Sequence, residues 1–258
     1  SLCAGIAIVT DRIKFGTSVA PIYFRTVEDY AQSASFIHEL SKGRFQFGIG
    51  VSHESVLASR GIKGRRPLSA TRQFVEKLHA IPRTGELPPI VLAALRKKMV
   101  MLADEISSGL IFANAARSYV AKSLAVLRAS NENRDAFFIG NMIPTVIDDD
   151  RDAGAARNRK TLQGYVALPN YRNYWKQAGY VEEMEGIEAA LDEGDRDRVL
   201  TCMSDEWLSN ATLHGSQNEV REGVEEWFDQ GCKTPILVPS STSGGQMHAI
   251  QELFDCFS

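Results

Sequence analysis

Residues 12–19, Arg12-Ile13-Lys14-Phe15-Gly16-Thr17-Ser18-Val19, and residues 43–51, Gly43-Arg44-Phe45-Gln46-Phe47-Gly48-Ile49-Gly50-Val51, are two strand-like runs that each end in small residues. Between them, Val27 to Leu40 carries helical periodicity, and Ser41-Lys42-Gly43 closes it as a turn. A strand, a crossover helix and a second strand form the unit that joins parallel strands. Residues suited to a binding site follow each run: Ser18 and Val19, then Ser52, His53 and Glu54. In parallel α/β folds, ligands bind at the carboxyl ends of the strands.

The same alternation continues along the chain. Strand-like runs recur at Pro88 to Ala94, Leu110 to Asn114, Phe137 to Val146 and Pro235 to Pro239, with helical patterns at Met99 to Ile106, Ser118 to Leu127, Val220 to Phe228 and Gln246 to Phe254. Strands alternating with helices predict βαβ units and a parallel sheet, either a (β/α) barrel or an open doubly wound sheet. No G-x-G-x-x-G follows a strand and opens a helix, which weakens a dinucleotide-binding Rossmann reading. Residues 148–210 differ: they are charged, strand-poor and helical in pattern, and read as an insertion before the last strand. Tyr165, Tyr171, Tyr174, Trp175, Tyr180 and Trp207 crowd this block, where they either line a pocket or pack helix on helix. Leu78 to Glu86 is expected to be a loop. The chain enters on apolar Leu2 to Val9 without an initiator Met, so an N-terminal part is expected to precede it.

With 258 residues, 44% hydrophobic and 24% charged, the composition is that of an ordinary globular protein. A net charge of -3 gives no reason to expect nucleic acid or an anionic membrane surface as partner. No apolar run approaches the ~20 residues that span a bilayer. Cys3, Cys202, Cys232 and Cys256 are scattered without C-x-x-C spacing, so no metal site is expected, and free thiols in a reducing cytoplasm are the simplest account.

Leu40-Ser41-Lys42-Gly43-Arg44-Phe45-Gln46-Phe47-Gly48-Ile49-Gly50 resembles the L-S-x-G-R-F-x-x-G-x-G signature of the luciferase-like monooxygenase superfamily. Thr10 to Val19 with Pro21 and Arg25, Pro89 to Ala94, Ala103 to Gly109 and Pro235 to Ser241 resemble further segments of that family in the same order. Gly50-Val51-Ser52-His53-Glu54 and Leu95-Arg96-Lys97-Lys98-Met99 are similar to its deazaflavin (coenzyme F420)-dependent oxidoreductase branch. Elsewhere in the superfamily a Gly-Pro pair stands where this chain has Arg96-Lys97. The resemblance implies a (β/α)8 TIM-type barrel, entered here just before its third strand and therefore lacking the N-terminal strands, with residues 1–258 as a single barrel domain that contains the 148–210 insertion.

It further implies a redox enzyme that uses coenzyme F420 for hydride transfer, or FMN for oxygen chemistry, on a small organic substrate. A pocket that binds flavin or deazaflavin without catalysis is the third alternative. A cytoplasmic homodimer is expected. In the deazaflavin-dependent relatives the bond matching Ser18–Val19 is a cis peptide beneath the ring. His53, whose unperturbed pKa lies near neutrality, is the candidate acid or base. Arg96 and Lys97 open a helix whose amino terminus suits a phosphate. Asn114 ends a strand and is a candidate ring contact. Ser240 and Ser241 follow the last strand, where barrels often bind phosphate, although a flexible Gly-Ser loop explains them equally. Ser18, Val19 and Ser52 complete the candidate cofactor contacts, and Ser18, His53, Asn114 and Ser240 are expected to share one rim.

Overall fold

A computed structural model describes residues 2–64, 66–127 and 135–258. The chain divides into two compact units, Ser1–Ile111 with Val126–Phe138, and Phe112–Ala125 with Ile139–Ser258.

The first unit runs α1 (Leu2–Val9), β1 (Phe15–Gly16), β2 (Ala20–Pro21), α2 (Val27–Leu40), β3 (Phe45–Gly50), α3 (Glu54–Ser59), α4 (Pro67–Ala80), β4 (Ile90–Ala93), α5 (Lys97–Ile106) and the start of β5 (Gly109–Ala113). β3 pairs in parallel with β1, β2 and β4, and β4 in parallel with β5. Of the run expected as strand over residues 12–19 only Phe15–Gly16 is strand; β2 follows just beyond it, after residues 17–19. Both lie along β3, Phe15 opposite Phe45 and Ala20 opposite Ile49.

Two features of the signature segment explain this arrangement. The first is Arg44, which gives four of its five hydrogen bonds to the chain before β1 and the fifth to the turn after α2. Its Nε donates to the Ser41 carbonyl at 2.8 Å, Nη1 to Thr10 Oγ1 and the Ile13 carbonyl at 2.9 Å each, and Nη2 to the Ala7 and Thr10 carbonyls at 3.0 and 2.7 Å. Guanidinium suits this task because five N–H groups leave one planar centre in a fixed fork. The second is the pair Gly48 and Gly50. A Cβ on Gly48 would run into the Thr17 carbonyl, and one on Gly50 would lie 2.8 Å from Val19 Cγ2. These glycines let the segment between β1 and β2 press against β3.

α2 is capped as its sequence suggests. The Thr26 hydroxyl accepts from the Asp29 N–H at 3.2 Å, acidic Glu28 and Asp29 fill the first turn, and Lys42 and Gly43 turn the chain with positive φ. It buries Tyr30, Ala31, Ala34 and Ile37. α1, expected as core, instead is a helix with only Ala7 buried, and Leu2, Ile8 and Val9 are exposed. α4 carries Leu78, His79 and Ala80 into its last turn, so the expected loop begins later.

The second unit holds the end of β5, α6 (Arg117–Leu124), β6 (Phe138–Ile147), five helices α7 (Arg151–Val166), α8 (Pro169–Gln177), α9 (Val181–Glu193), α10 (Arg196–Thr201) and α11 (Asp205–Ala211), then β7 (Leu213–Gly215), α12 (Gln217–Asp229), β8 (Thr234–Pro239) and α13 (Gln246–Phe257). β6 takes β7 on one side and β8 on the other, both parallel. Residues 148–210 hold no strand, as their pattern predicted. β7 was not anticipated, because three residues are too few to show a period of two. Most of the crowded aromatics pack helix on helix: Tyr174, Trp175 and Trp207 are at most 1% exposed, and the two indoles meet edge to face at 4.9 Å, whereas Tyr180 lines a surface groove with Ser118 and Asn210.

Candidate functional site

In the first unit the segment after β1 meets the carboxyl ends of β3 and β4. An added Cβ on Gly50 would touch both Val19 and the Ala93 Cβ, so Val19, Gly50 and Ala93 come together there. The Ser18–Val19 peptide bond is cis, as the resemblance implied. Ser18 is exposed and Val19 half-buried, and Thr17 Oγ1 donates to the Gly48 carbonyl at 2.7 Å.

Two residues past Gly50, Ser52 adopts left-handed backbone (φ 65°), a conformation uncommon for a residue with a Cβ. It turns the chain so that His53 becomes the residue before α3, with no capping bond from its side chain. His53 is half-buried, and burial lowers the proton affinity of its imidazole. Three residues past Ala93, Arg96 precedes α5 and Lys97 opens it. Both are exposed, and no acidic residue lies in that first turn. Ser18, Val19, Ser52, His53, Arg96 and Lys97 thus all follow the carboxyl ends of parallel strands in one unit.

In the second unit Asn114 follows β5 with left-handed backbone (φ 54°) and is 2% exposed. Its N–H donates to the Met142 carbonyl at 3.0 Å, and its carbonyl accepts from Trp175 Nε1 at 3.1 Å. The next two N–H groups are also taken by side chains: Ala115 donates to Asn141 Oδ1 at 3.2 Å and Ala116 to the Tyr174 hydroxyl at 3.3 Å. Burial pushes the Tyr174 pKa up to about 12, so this hydroxyl stays protonated at neutral pH. β6 and α8 therefore hold the Asn114 N–H and carbonyl and the N–H groups of Ala115 and Ala116. The Asn114 and Asn141 Nδ2 groups are buried without a partner.

Ser240 and Ser241 follow β8 beside the end of β6, with the Ser240 N–H on the Thr145 carbonyl at 2.9 Å. The Ser241 hydroxyl donates to Glu252 Oε1 at 3.2 Å, and the neighbouring Thr242 hydroxyl donates to Asp148. These donors are engaged by carboxylates, and the Thr242 bond helps hold the Asp148 pKa below the usual carboxylate range. The part that Asn141, Tyr174 and Trp175 play in holding residues 114–116 was not read from the sequence. The aromatics were visible as a cluster, but nothing in their spacing pointed to the backbone of residues 114–116. A separate surface groove of about 540 Å³ lies between α4 and α5, lined by Leu68, Arg72, Met101, Leu102 and Glu105, on the helices rather than the strand ends.

Parallel strands alternating with helices, and candidate residues gathered at the strands' carboxyl ends, define a family-level match. The sequence profile of the luciferase-like monooxygenase family matches residues 1–234, and the chain belongs to that family. A Mycobacterium tuberculosis protein named as a candidate coenzyme F420-dependent oxidoreductase is 24% identical over 280 aligned residues, covering 90% of this chain and 80% of the relative. The 5,10-methylenetetrahydromethanopterin reductase of Archaeoglobus fulgidus is 26% identical over 281, covering 97% and 84%. The coenzyme F420-dependent tetrahydromethanopterin reductase of Methanopyrus kandleri superposes with a TM-score of 0.77 at 16% identity, covering 98% and 84%, which shows a shared fold.

Proposed function

We propose that this chain is an oxidoreductase that moves a hydride between deazaflavin coenzyme F420 and a small organic substrate. The observation that carries the reading is the setting of His53, a half-buried imidazole of lowered proton affinity, three residues past the strand end where Val19, Gly50 and Ala93 meet. Relatives named for F420 support the choice of coenzyme.

The residues present fit such a group. A flat, largely apolar ring needs an apolar wall and a few polar groups at its edge. Val19 supplies the wall, and the Ser18 and Ser52 hydroxyls supply polar groups beside it. Exposed Arg96 and Lys97 at the amino end of α5 attract an anionic part of the coenzyme, because cations and free N–H groups favour negative charge there. Asn114, Ser240 and Ser241 are proposed as further contacts, of which Asn114 has a free buried donor. When bound, the deazaflavin supplies a two-electron carrier whose reactive ring position is carbon. Burial favours the neutral form of the His53 imidazole, the form that takes a proton from a substrate or relays one to it.

Titration of the protein with F420 and with FMN tests the reading, followed by anaerobic hydride-transfer assays on a panel of small organic acceptors. The expected result is preferential F420 binding and anaerobic turnover, abolished by His53→Ala with binding retained. Tight FMN binding with oxygen consumption would instead assign a monooxygenase. Binding unaccompanied by turnover across the panel would favour a non-catalytic pocket.

A further inference from the structure

Helix α13 carries more apolar surface than the second unit covers. Its inner face holds the buried Ala249 and Cys256, and the Cys256 carbonyl accepts from Arg221 Nε of α12 at 2.6 Å. A second apolar stripe faces outward. Met247, Phe254 and Phe257 are 76, 70 and 48% exposed, and half-buried Ile250 completes the run. Single exposed apolar residues are ordinary on a protein surface. These four alternate three and four positions apart, which keeps them on one line along a helix, as in the a/d seam of a coiled coil.

The stripe is its own complement. Two copies of α13 laid antiparallel about Glu252 set Met247 against Phe257 of the second copy, and Ile250 against its Phe254, because the members of each pair lie equally far from that midpoint. Each layer then matches a smaller side chain with a phenylalanine, which lets facing layers interdigitate. The polar flank agrees with this direction. His248 and Asp255 are both exposed beside the stripe. Antiparallel pairing brings the His248 imidazole, a donor, near the Asp255 carboxylate of the second copy, whereas parallel pairing would set Asp255 against Asp255.

Area sets the strength. Two phenylalanines and a methionine at this exposure present roughly 400 Å². A standard interface buries about 800 Å² on each partner, so the seam with its polar flank falls among the weaker, reversible contacts. We propose that the outer face of α13 is a self-docking surface, through which two copies of this chain pair as an antiparallel two-helix seam. All of its residues belong to the second unit, and none is a proposed coenzyme contact.

Sedimentation velocity on the full chain over about 1–200 µM, the range of such contacts, tests the pairing. Wild-type protein should pass from monomer to dimer. Phe254→Glu should weaken association by about a hundredfold or more, because each dimer would bury two carboxylates. Phe36→Glu is the control. Phe36 is 60% exposed on α2, outside the seam, so its loss should leave the dimer unchanged. Mixing tests the direction. Met247→Glu and Phe257→Lys should each be monomeric alone and should regain the dimer when mixed in equal amounts, since only the antiparallel seam sets residue 247 against residue 257 of the other copy. A regained dimer also shows that both variants are folded. The proposal is overturned by a wild-type chain that stays monomeric at the highest concentration. It is equally overturned by a dimer that survives Phe254→Glu, one that is lost in Phe36→Glu, or a mixture that stays monomeric.

Discussion

Gly48 and Gly50 show how a single missing Cβ shapes the candidate site. Gly48→Ala would drive a methyl group into the Thr17 carbonyl, a backbone atom that cannot rotate away. We expect it to destabilise the protein by about 3 kcal/mol or more, the upper range for overpacking, measured by urea unfolding. Gly5→Ala in α1 is the control. Nothing lies within 4 Å of its added Cβ, and Ala is the better helix former, so stability should hold or rise by up to about 1 kcal/mol. The histidines give a pH signature. Burial lowers the folded-state pKa of both His53 and His214 below the ordinary 6.5. The unfolded chain then binds protons first as pH falls. The stability these residues permit is therefore full above about 6.5 and is lost as pH drops through their folded values. NMR titration should place both midpoints below 6.5. A midpoint at or above 6.5 for His53 would remove the neutral imidazole from the proposed chemistry.

At the scale of elements, α8 is a brace for the segment after β5. Trp175 and Trp207 allow a matched comparison, because both are fully buried and they pack against each other. Trp175 Nε1 bonds the Asn114 carbonyl, whereas Trp207 Nε1 has no partner. Tryptophan to phenylalanine removes similar volume at each site. Trp175→Phe also removes a hydrogen bond and strands a buried carbonyl, so it should cost about 1–3 kcal/mol more than Trp207→Phe, read from paired denaturation curves. Equal costs would mean that the indole bond does not brace Asn114. Tyr165 and Tyr171 form a similar pair at 5.1 Å, and their work is packing.

For the whole molecule, binding and stability are linked. A coenzyme that binds the folded chain alone adds about 2.7 kcal/mol at one hundred times its dissociation constant. For a chain of this size, that corresponds to a rise in Tm of about 5–10 °C. F420 should produce this rise in a thermal scan, and FMN a smaller one. A larger shift with FMN would move the assignment toward oxygen chemistry. Four free cysteines mean that reducing agent should leave the baseline Tm unchanged.

Much of this protein was legible before any coordinates. Arg44, Gly48 and Gly50 sit in a run whose pattern read as a strand, although the backbone that presses on it did not show in the sequence. Thr26, Ser41 and Gly43 marked the ends of α2, because capping and left-handed turns are local chemistry that a few adjacent residues specify. The period of 3.6 across residues 148–210 announced helices, since each helix must bury one face. Other features depended on contacts between residues far apart in sequence. Nothing near Asn141 in the chain indicates that its side chain would meet Ala115, 26 residues earlier. Nothing near Trp175 indicates a carbonyl 61 positions away. β1 was legible as strand, but its end at Gly16 and the short β2 beyond the expected run were not, because both are set by pairing with the distant β3. Sequence determines which backbone groups lack a local partner; only the tertiary structure decides which distant side chain satisfies them, and which donors, like the Nδ2 groups of Asn114 and Asn141, stay unpaired.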